Sequence, residues 1–183
     1  EYRLPKADVE AEIVNIATDL GVKIIYGQEM GKDFTVDSLK AKGYNGAVVA
    51  IGAQKSLPLP IGGYENKGVV WGVDFLRDVG LGAAGSLKGK KVVCVGGGNV
   101  SIDVVRSCVR LGADKVTLTC ILKRDDMPAL DHEIHEALEE GVVIDNLVQP
   151  MKVVTDAAGT LNGIEYRRRP ECADIFDFTN TLP

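Results

Sequence analysis

The stretch Lys91-Val-Val-Cys-Val-Gly-Gly-Gly-Asn-Val-Ser-Ile-Asp103 limits what this chain can fold into more tightly than any other. Its apolar run, Val92 to Val95, has the length and branching of a fully buried strand. Three glycines follow at once, and a helical pattern then runs from Val100 to Leu111, where Gly112 stops it. Strand, glycine turn and helix in immediate succession make a corner suited to a phosphate. Gly96 allows the tight turn, Gly98 lets the backbone approach a pyrophosphate, and the small Ser101 lets the helix pack on the strand. The unpaired N–H groups of the first helical turn, with Gly97 and Asn99 beside them, then face the anion. The spacing is that of G-x-G-x-x-G with Ser in the last place. Its setting, with a second strand following over Val116–Ile121, favours a dinucleotide site over the alternative of a simple tight βα turn.

The flanking sequence repeats the alternation of β and α. Pro5 precedes a helical stripe of Val9, Ile13, Ile16, Ala17 and Leu20 that ends at Gly21. Val22–Tyr26 and Ala47–Ile51 read as short apolar strands, and Thr35 is placed to cap a brief helix through Leu39 and Ala41. Residues 54–68, rich in Pro and Gly, read as a linker and hold the domain boundary. Trp71, Phe75 and Leu76 suggest a short helix. After Met127-Pro128 come a helix with Leu130, Ile134, Ala137 and Leu138 inward, a strand at Val142–Leu147, and a hairpin of Met151–Thr155 and Leu161–Tyr166 joined through Asp156–Gly159. The expected fold is α/β: a Rossmann-like three-layer nucleotide-binding fold with a parallel sheet, right-handed crossovers and a β-meander.

Composition excludes several classes. A formal net charge of −5 opposes sequence-independent nucleic-acid binding. No apolar run approaches the length of a membrane helix, and no signal peptide is present. Cys94, Cys108, Cys120 and Cys172 form no C-x-x-C pair and no metal-ligand spacing, so they read as small buried hydrophobes in a reducing, cytoplasmic setting. The chain starts at Glu1 in the middle of a pattern, as a piece of a larger protein would.

Six segments carry a resemblance: Glu1-Tyr-Arg-Leu-Pro5, Ala50-Ile-Gly-Ala53, Asp74-Phe-Leu76, Val95-Gly-Gly-Gly-Asn-Val100 with Asp103, Met127-Pro-Ala129 and Glu139-Glu-Gly-Val142. Collinear from residue 1 to about 166, they resemble the pyridine nucleotide–disulfide oxidoreductases that use FAD and NAD(P)H. The likeness is greatest to the branch with the small subunit of glutamate synthase and the reductase part of dihydropyrimidine dehydrogenase. The resemblance implies that residues 1–53 are the later, incomplete part of an FAD-binding domain and residues 54–183 an NAD(P)H-binding domain. It also implies hydride delivery from nicotinamide to flavin, with electrons leaving through an iron–sulfur or catalytic partner subunit. The family's flavin-pyrophosphate βαβ unit has no counterpart in these residues, so FAD is expected in the full-length protein and not held stably by this chain.

The same resemblance places Gly96, Gly97, Gly98, Asn99, Val100 and Asp103 at the nicotinamide dinucleotide, and Gly52 and Ala53 at the crossing between the domains. Where the family carries an arginine pair that selects NADP, counting back from Met127-Pro128 finds Ile121 and Leu122. Nor does Cys120, Ile121 or Leu122 supply the acid that usually receives the ribose hydroxyls of NAD. Lys123 and Arg124 follow, either to swing onto a 2′-phosphate or to remain solvated loop charges. The balance leans slightly to NAD(H). Asp103 is read near the nicotinamide or as a first-turn acid favoured by the helix dipole. Asn99 caps the helix, donates to phosphate, or does both. His132 and His135 have a spacing of three and read as part of a solvated acidic face, since zinc motifs of this type need four. Arg167–Arg169 read as the exposed end of a hairpin strand, with a partner-docking or phosphate patch as the alternative. No nucleophile triad, carboxylate pair or metal cluster appears, as expected where cofactors carry the chemistry. Two other classes compete: a non-catalytic scaffold or interaction module, and a Rossmann-like enzyme using another adenine cofactor.

Overall fold

The computed structural model describes residues 3–170; Glu1, Tyr2 and Cys172 lie outside the described residues. The chain divides into two compact units after Ala53.

In the first unit, α1 (Lys6–Asp19) starts behind Pro5, whose missing N–H costs nothing at a helix start. Gly21 follows its last turn with φ +62°, a left-handed conformation that suits glycine. Helix α2 (Val36–Ala41) is capped as expected: the Thr35 hydroxyl accepts from the Ser38 N–H, and the Ser38 hydroxyl accepts from the Thr35 N–H. Val22–Tyr26 and Ala47–Ile51, expected as strands, belong to no ladder. A strand is defined by a neighbour that takes its backbone hydrogen bonds, and none of the described residues does so here. No described residue of this unit is buried.

The second unit contains the core. Strands β1 (Lys91–Val95), β2 (Lys115–Cys120) and β3 (Val143–Asn146) form a parallel sheet in that order, with Val95 opposite Thr119 and Cys120 opposite Asn146. Parallel neighbours need a crossover, and α4 (Asn99–Arg110) and α5 (Asp131–Glu139) provide the two. Alternation along β2 sends Val116, Leu118 and Cys120 to the helix-covered face, where they join Ile102, Val105, Cys108, Ile134 and Ala137. Helix α3 (Gly72–Gly80) packs on α4, and Gly72 makes this possible: a Cβ there would stand 3.3 Å from Val104 Cγ2.

The second sheet face is less covered. β1 is not the fully buried strand its apolar run suggests, for Val93 and Val95 remain 47% and 37% exposed. Being apolar on both faces buries a strand only if both faces have a layer. The hairpin of β4 (Val148–Thr155) and β5 (Leu161–Arg168) brings Ile164 and Tyr166 over part of that face, leaving a cleft of about 280 Å³ beside Thr117, Thr119 and Val143. The Asp156 carboxylate shapes the hairpin turn by accepting the Ala158 and Thr160 N–H groups.

Two expectations change here. Residues 61–68 are not a free linker. The Val153 N–H donates to the Gly62 carbonyl at 2.8 Å, Asn66 Nδ2 donates to the Gly159 carbonyl, and Gly68 lies against Leu161 with room for no side chain. Nor are all three arginines of 167–169 exposed. Arg169 is buried, and Arg168 grips the Asp145 carboxylate with both guanidinium nitrogens, at 2.6 and 3.3 Å. That pair joins the hairpin to β3 with bidentate geometry.

Candidate functional site

The site grows out of the end of β1. The Gly96 N–H donates to the Thr119 carbonyl at 2.9 Å, continuing the ladder by one residue before the chain turns. Gly96 has φ +142°, and a Cβ there would fall on the Ser101 hydroxyl, so the glycine and the small residue are required together. At Gly97 a Cβ would fall on Cys120 Sγ, with Met127 Cγ also close at 3.7 Å. This duty was missed from sequence, where the middle glycine had no role of its own. The only signal was a glycine at a position that the motif leaves open. Gly98 differs from both: it precedes α4 with φ −93°, and a Cβ there would meet nothing nearer than Pro128 Cγ at 4.0 Å.

Helix α4 begins with its donors unspent. The Gly98 carbonyl accepts from Ser101 and Ile102. Among the described residues, nothing accepts from the backbone N–H groups of Gly97, Gly98, Asn99 or Val100. Four such donors at the positive end of a helix form an anion cradle.

A second segment is stitched to this corner. The Ala129 N–H donates to the Gly97 carbonyl at 3.1 Å, and the Leu130 N–H donates to Asn99 Oδ1 at 3.0 Å. Asn99 therefore does not cap its own helix; its oxygen holds the start of α5. Met127 and Ala129 are buried in the core beneath, while Pro128 stays outside.

The segment between β2 and α5 carries the remaining predicted residues. Leu122 is half-buried against the core, and its carbonyl accepts from Asn146 Nδ2 and the Leu147 N–H. Lys123 faces Asp126 at 3.7 Å, and Arg124 Nη1 donates to Asp131 Oδ1 at 3.2 Å. Both pairs are exposed and therefore weak. Asp103 is the fifth residue of α4, so it is not the first-turn acid considered above; the first turn holds no acid. Gly52, with φ +67°, and Ala53 belong to the first unit.

Thiol chemistry does not belong to this corner. Burial, with Cys108 nearby, pushes the Cys94 thiol up to about 12, and burial pushes Cys108 up to about 11 and raises Cys120. Protonated, apolar-packed thiols are poor nucleophiles. All three described cysteines are free; Cys108 and Cys120 are buried as expected, while Cys94 is half-buried. His132 and His135 are exposed on α5, His135 beside Glu139 at 3.2 Å, and the described residues include no cluster able to hold a metal. No described helix is long and apolar enough to cross a membrane.

Parallel strands, crossover helices and a glycine corner ending in a helix N-terminus define a Rossmann-like α/β domain. A model of the pyridine nucleotide-disulphide oxidoreductase family matches residues 6–160, and the chain belongs to that family. It is 38% identical over 186 aligned residues to the NADPH-Fe(3+) oxidoreductase subunit beta of Geobacter sulfurreducens, covering 93% of this chain and 27% of that protein. It is 31% identical to the glutamate synthase [NADPH] small chain of Escherichia coli, covering 91% of this chain and 38% of that one. The structure of Mycobacterium tuberculosis FprA in complex with NADPH shares the fold at a TM-score of 0.73 and 14% identity, over 96% of this chain and 53% of that one. The chain thus spans about a quarter to two fifths of the length of these two curated relatives.

Proposed function

We propose that the corner Gly96–Val100 holds the pyrophosphate of NADH or NADPH, and that residues 54–183 are the NAD(P)H-binding part of an FAD-dependent oxidoreductase. The observation that carries this reading is the set of four unspent backbone donors beside the open surface at Gly98. These residues fit a pyrophosphate: the donors match its oxygens, and Gly98 lets them come close. When bound, the nicotinamide supplies a hydride from its C4, for transfer to the flavin N5. The chain's own residues bind and orient: the corner fixes the pyrophosphate, and the core under Gly97 keeps the corner rigid. Residues 3–53 offer FAD no comparable cradle, having neither a glycine corner between strand and helix nor a buried residue. They are read as the later part of a flavin domain whose phosphate site lies elsewhere. A partner subunit or iron–sulfur centre would take the electrons onward in this reading.

Lys123 and Arg124 are the proposed contacts for a 2′-phosphate. Their present partners, Asp126 and Asp131, hold them only by exposed pairs that a phosphate can displace. Together with the NADPH in the names of two relatives, this favours NADP(H) over the NAD(H) suggested by the missing arginine pair.

Calorimetric titration with NADH and NADPH tests the reading, with Gly98→Ala as the sharpest variant. The added methyl meets nothing nearer than Pro128 Cγ at 4.0 Å, so the fold is expected to survive with a loss of no more than about 1 kcal/mol for alanine at a helix start. Affinity for both nucleotides should fall at least about tenfold, or about 1.4 kcal/mol. Absence of saturable binding to the unaltered protein at millimolar concentration overturns it.

A further inference from the structure

We infer that Asn99 is a positioning residue for cofactor selectivity, acting through the start of α5 on Arg124. This rests on the corner being the NAD(P)H site. The backbone of the 124–130 segment makes the link. Asn99 Oδ1 accepts the Leu130 N–H at 3.0 Å, fixing the residue before α5. Without nucleotide, Arg124 Nη1 rests on Asp131 at 3.2 Å, in the exposed pair that the 2′-phosphate would replace. The parallel bond from the Ala129 N–H to the Gly97 carbonyl, and the burial of Met127 and Ala129, make this segment a strap fastened at the corner. Arg124 lies on a short 3₁₀ turn, Arg124–Asp126, with Asp125 and Asp126 exposed, so its reach depends on where the strap holds it.

Position and recognition are thereby coupled. Asn99 belongs to the pyrophosphate end, which NADH and NADPH share; Arg124 belongs to the end where they differ. A side chain that only touched pyrophosphate would affect both nucleotides alike. One that holds the strap affects the nucleotide bearing the 2′-phosphate more. The carboxamide suits this duty because its oxygen takes the Leu130 N–H while its Nδ2 hydrogens, bonded to no described residue, keep the neighbouring surface a donor surface.

Two variants separate the alternatives. Asn99→Ala removes the acceptor, so the Leu130 amide should exchange with solvent faster, and NADPH affinity should fall about fivefold further than NADH affinity, as expected for one lost hydrogen bond. Asn99→Asp keeps an acceptor for Leu130 but places a negative charge beside the pyrophosphate. Leu130 should then stay protected, and both affinities should fall by the same factor. Hydrogen exchange followed by mass spectrometry and fluorescence titration with each nucleotide provide the readouts. Equal losses in Asn99→Ala, or unchanged Leu130 exchange in that variant, overturn the inference. So does a fall in the NADPH to NADH affinity ratio in Asn99→Asp while Leu130 stays protected. If the unaltered protein binds neither nucleotide, the site assignment fails and takes the selectivity role with it. The exchange of Leu130 in Asn99→Ala still reports separately whether Asn99 holds the strap.

Discussion

Helices α1 and α4 carry the same kind of message and meet different fates. Both repeat branched apolar residues at helical spacing and both stop at a glycine with positive φ. In α4, Ile102 and Val105 are completely buried against β1 and β2; in α1, Ile13 and Ile16 stay 42% and 49% exposed. The difference lies in what surrounds each helix. An apolar stripe stabilises only when another layer removes it from water. The second unit supplies that layer from adjacent chain, because β1, α4, β2, α5 and β3 follow one another with short connections. Among its described residues the first unit has no sheet to complete one. Periodicity therefore predicts a helix in both units but a core in only one.

The comparison can be broken most sharply at a core position. Leu118→Ala should cost about 2–5 kcal/mol, because Leu118 is fully buried at the centre of the sheet. Ile13→Ala should change stability by less than about 0.5 kcal/mol. Urea unfolding followed by circular dichroism distinguishes them, and a comparable loss for Ile13 would mean that α1 has a covering layer after all.

Charges give the next largest contrast. Arg106 is buried and binds Glu140 through Nε and Nη2, at 2.9 and 2.7 Å, and Glu136 through Nη1, joining α4 to α5. Arg106→Leu takes the guanidinium from Glu136 and leaves Glu140 with Arg110 alone, and should cost about 2–3 kcal/mol. The Lys40–Asp37 pair of the first unit is exposed at both ends, and Lys40→Ala should cost less than about 0.5 kcal/mol.

Glycines sharpen the contrast at smaller magnitude. Gly97→Ala drives a methyl onto Cys120 Sγ and should cost about 1–3 kcal/mol, partly recovered in the double variant with Cys120→Ala. Gly46, in the first unit, has nothing within 4 Å of a new Cβ, so its replacement by Ala should be nearly neutral. Differential scanning calorimetry of the three variants makes the comparison, and failure of the double variant to recover stability would remove the packing explanation for Gly97.

Acid makes the smallest change. Burial alone would raise the Glu140 carboxyl, but the hydrogen bonds and charges of Arg106 and Arg110 outweigh it and hold the group below its ordinary 4.5. A carboxyl with a depressed folded value adds stability at pH above its unfolded value and loses it as pH falls through the folded one. Denaturation midpoints should therefore drop as pH falls below 4.5, and Glu140→Gln should lower stability at neutral pH while making that drop shallower. An equally steep acid limb in the variant would assign the effect to other groups.

Much of the second unit was legible beforehand because its signals are local. The three parallel strands, their helices and the hairpin fall within a residue or two of where periodicity and glycine stops place them, except β4, which starts at Val148 instead of Met151. At the site, the duties of Gly96 and Ser101 were legible for the same reason: turn geometry and helix packing are settled within six residues. The duty of Gly97 was not, because Cys120 comes from the next strand. Asn99 escaped too, since its partner Leu130 lies 31 residues on, and a side-chain capping rule looks only at the adjacent turn. Arg167–Arg169 look uniform as a run, yet one lies exposed, one grips Asp145 and one is buried.

By itself, then, the sequence determined the order of elements in the second unit and the strand–glycine–helix corner, which depend on residues close together in the chain, and membership of the family, which depends on the collinear order of short segments. Tertiary structure decided which apolar stripes became core, how the 121–130 segment is strapped to the corner, and which charges are held in place. Those outcomes depend on which surfaces meet, and a linear pattern that marks a surface as apolar or charged does not specify its partner.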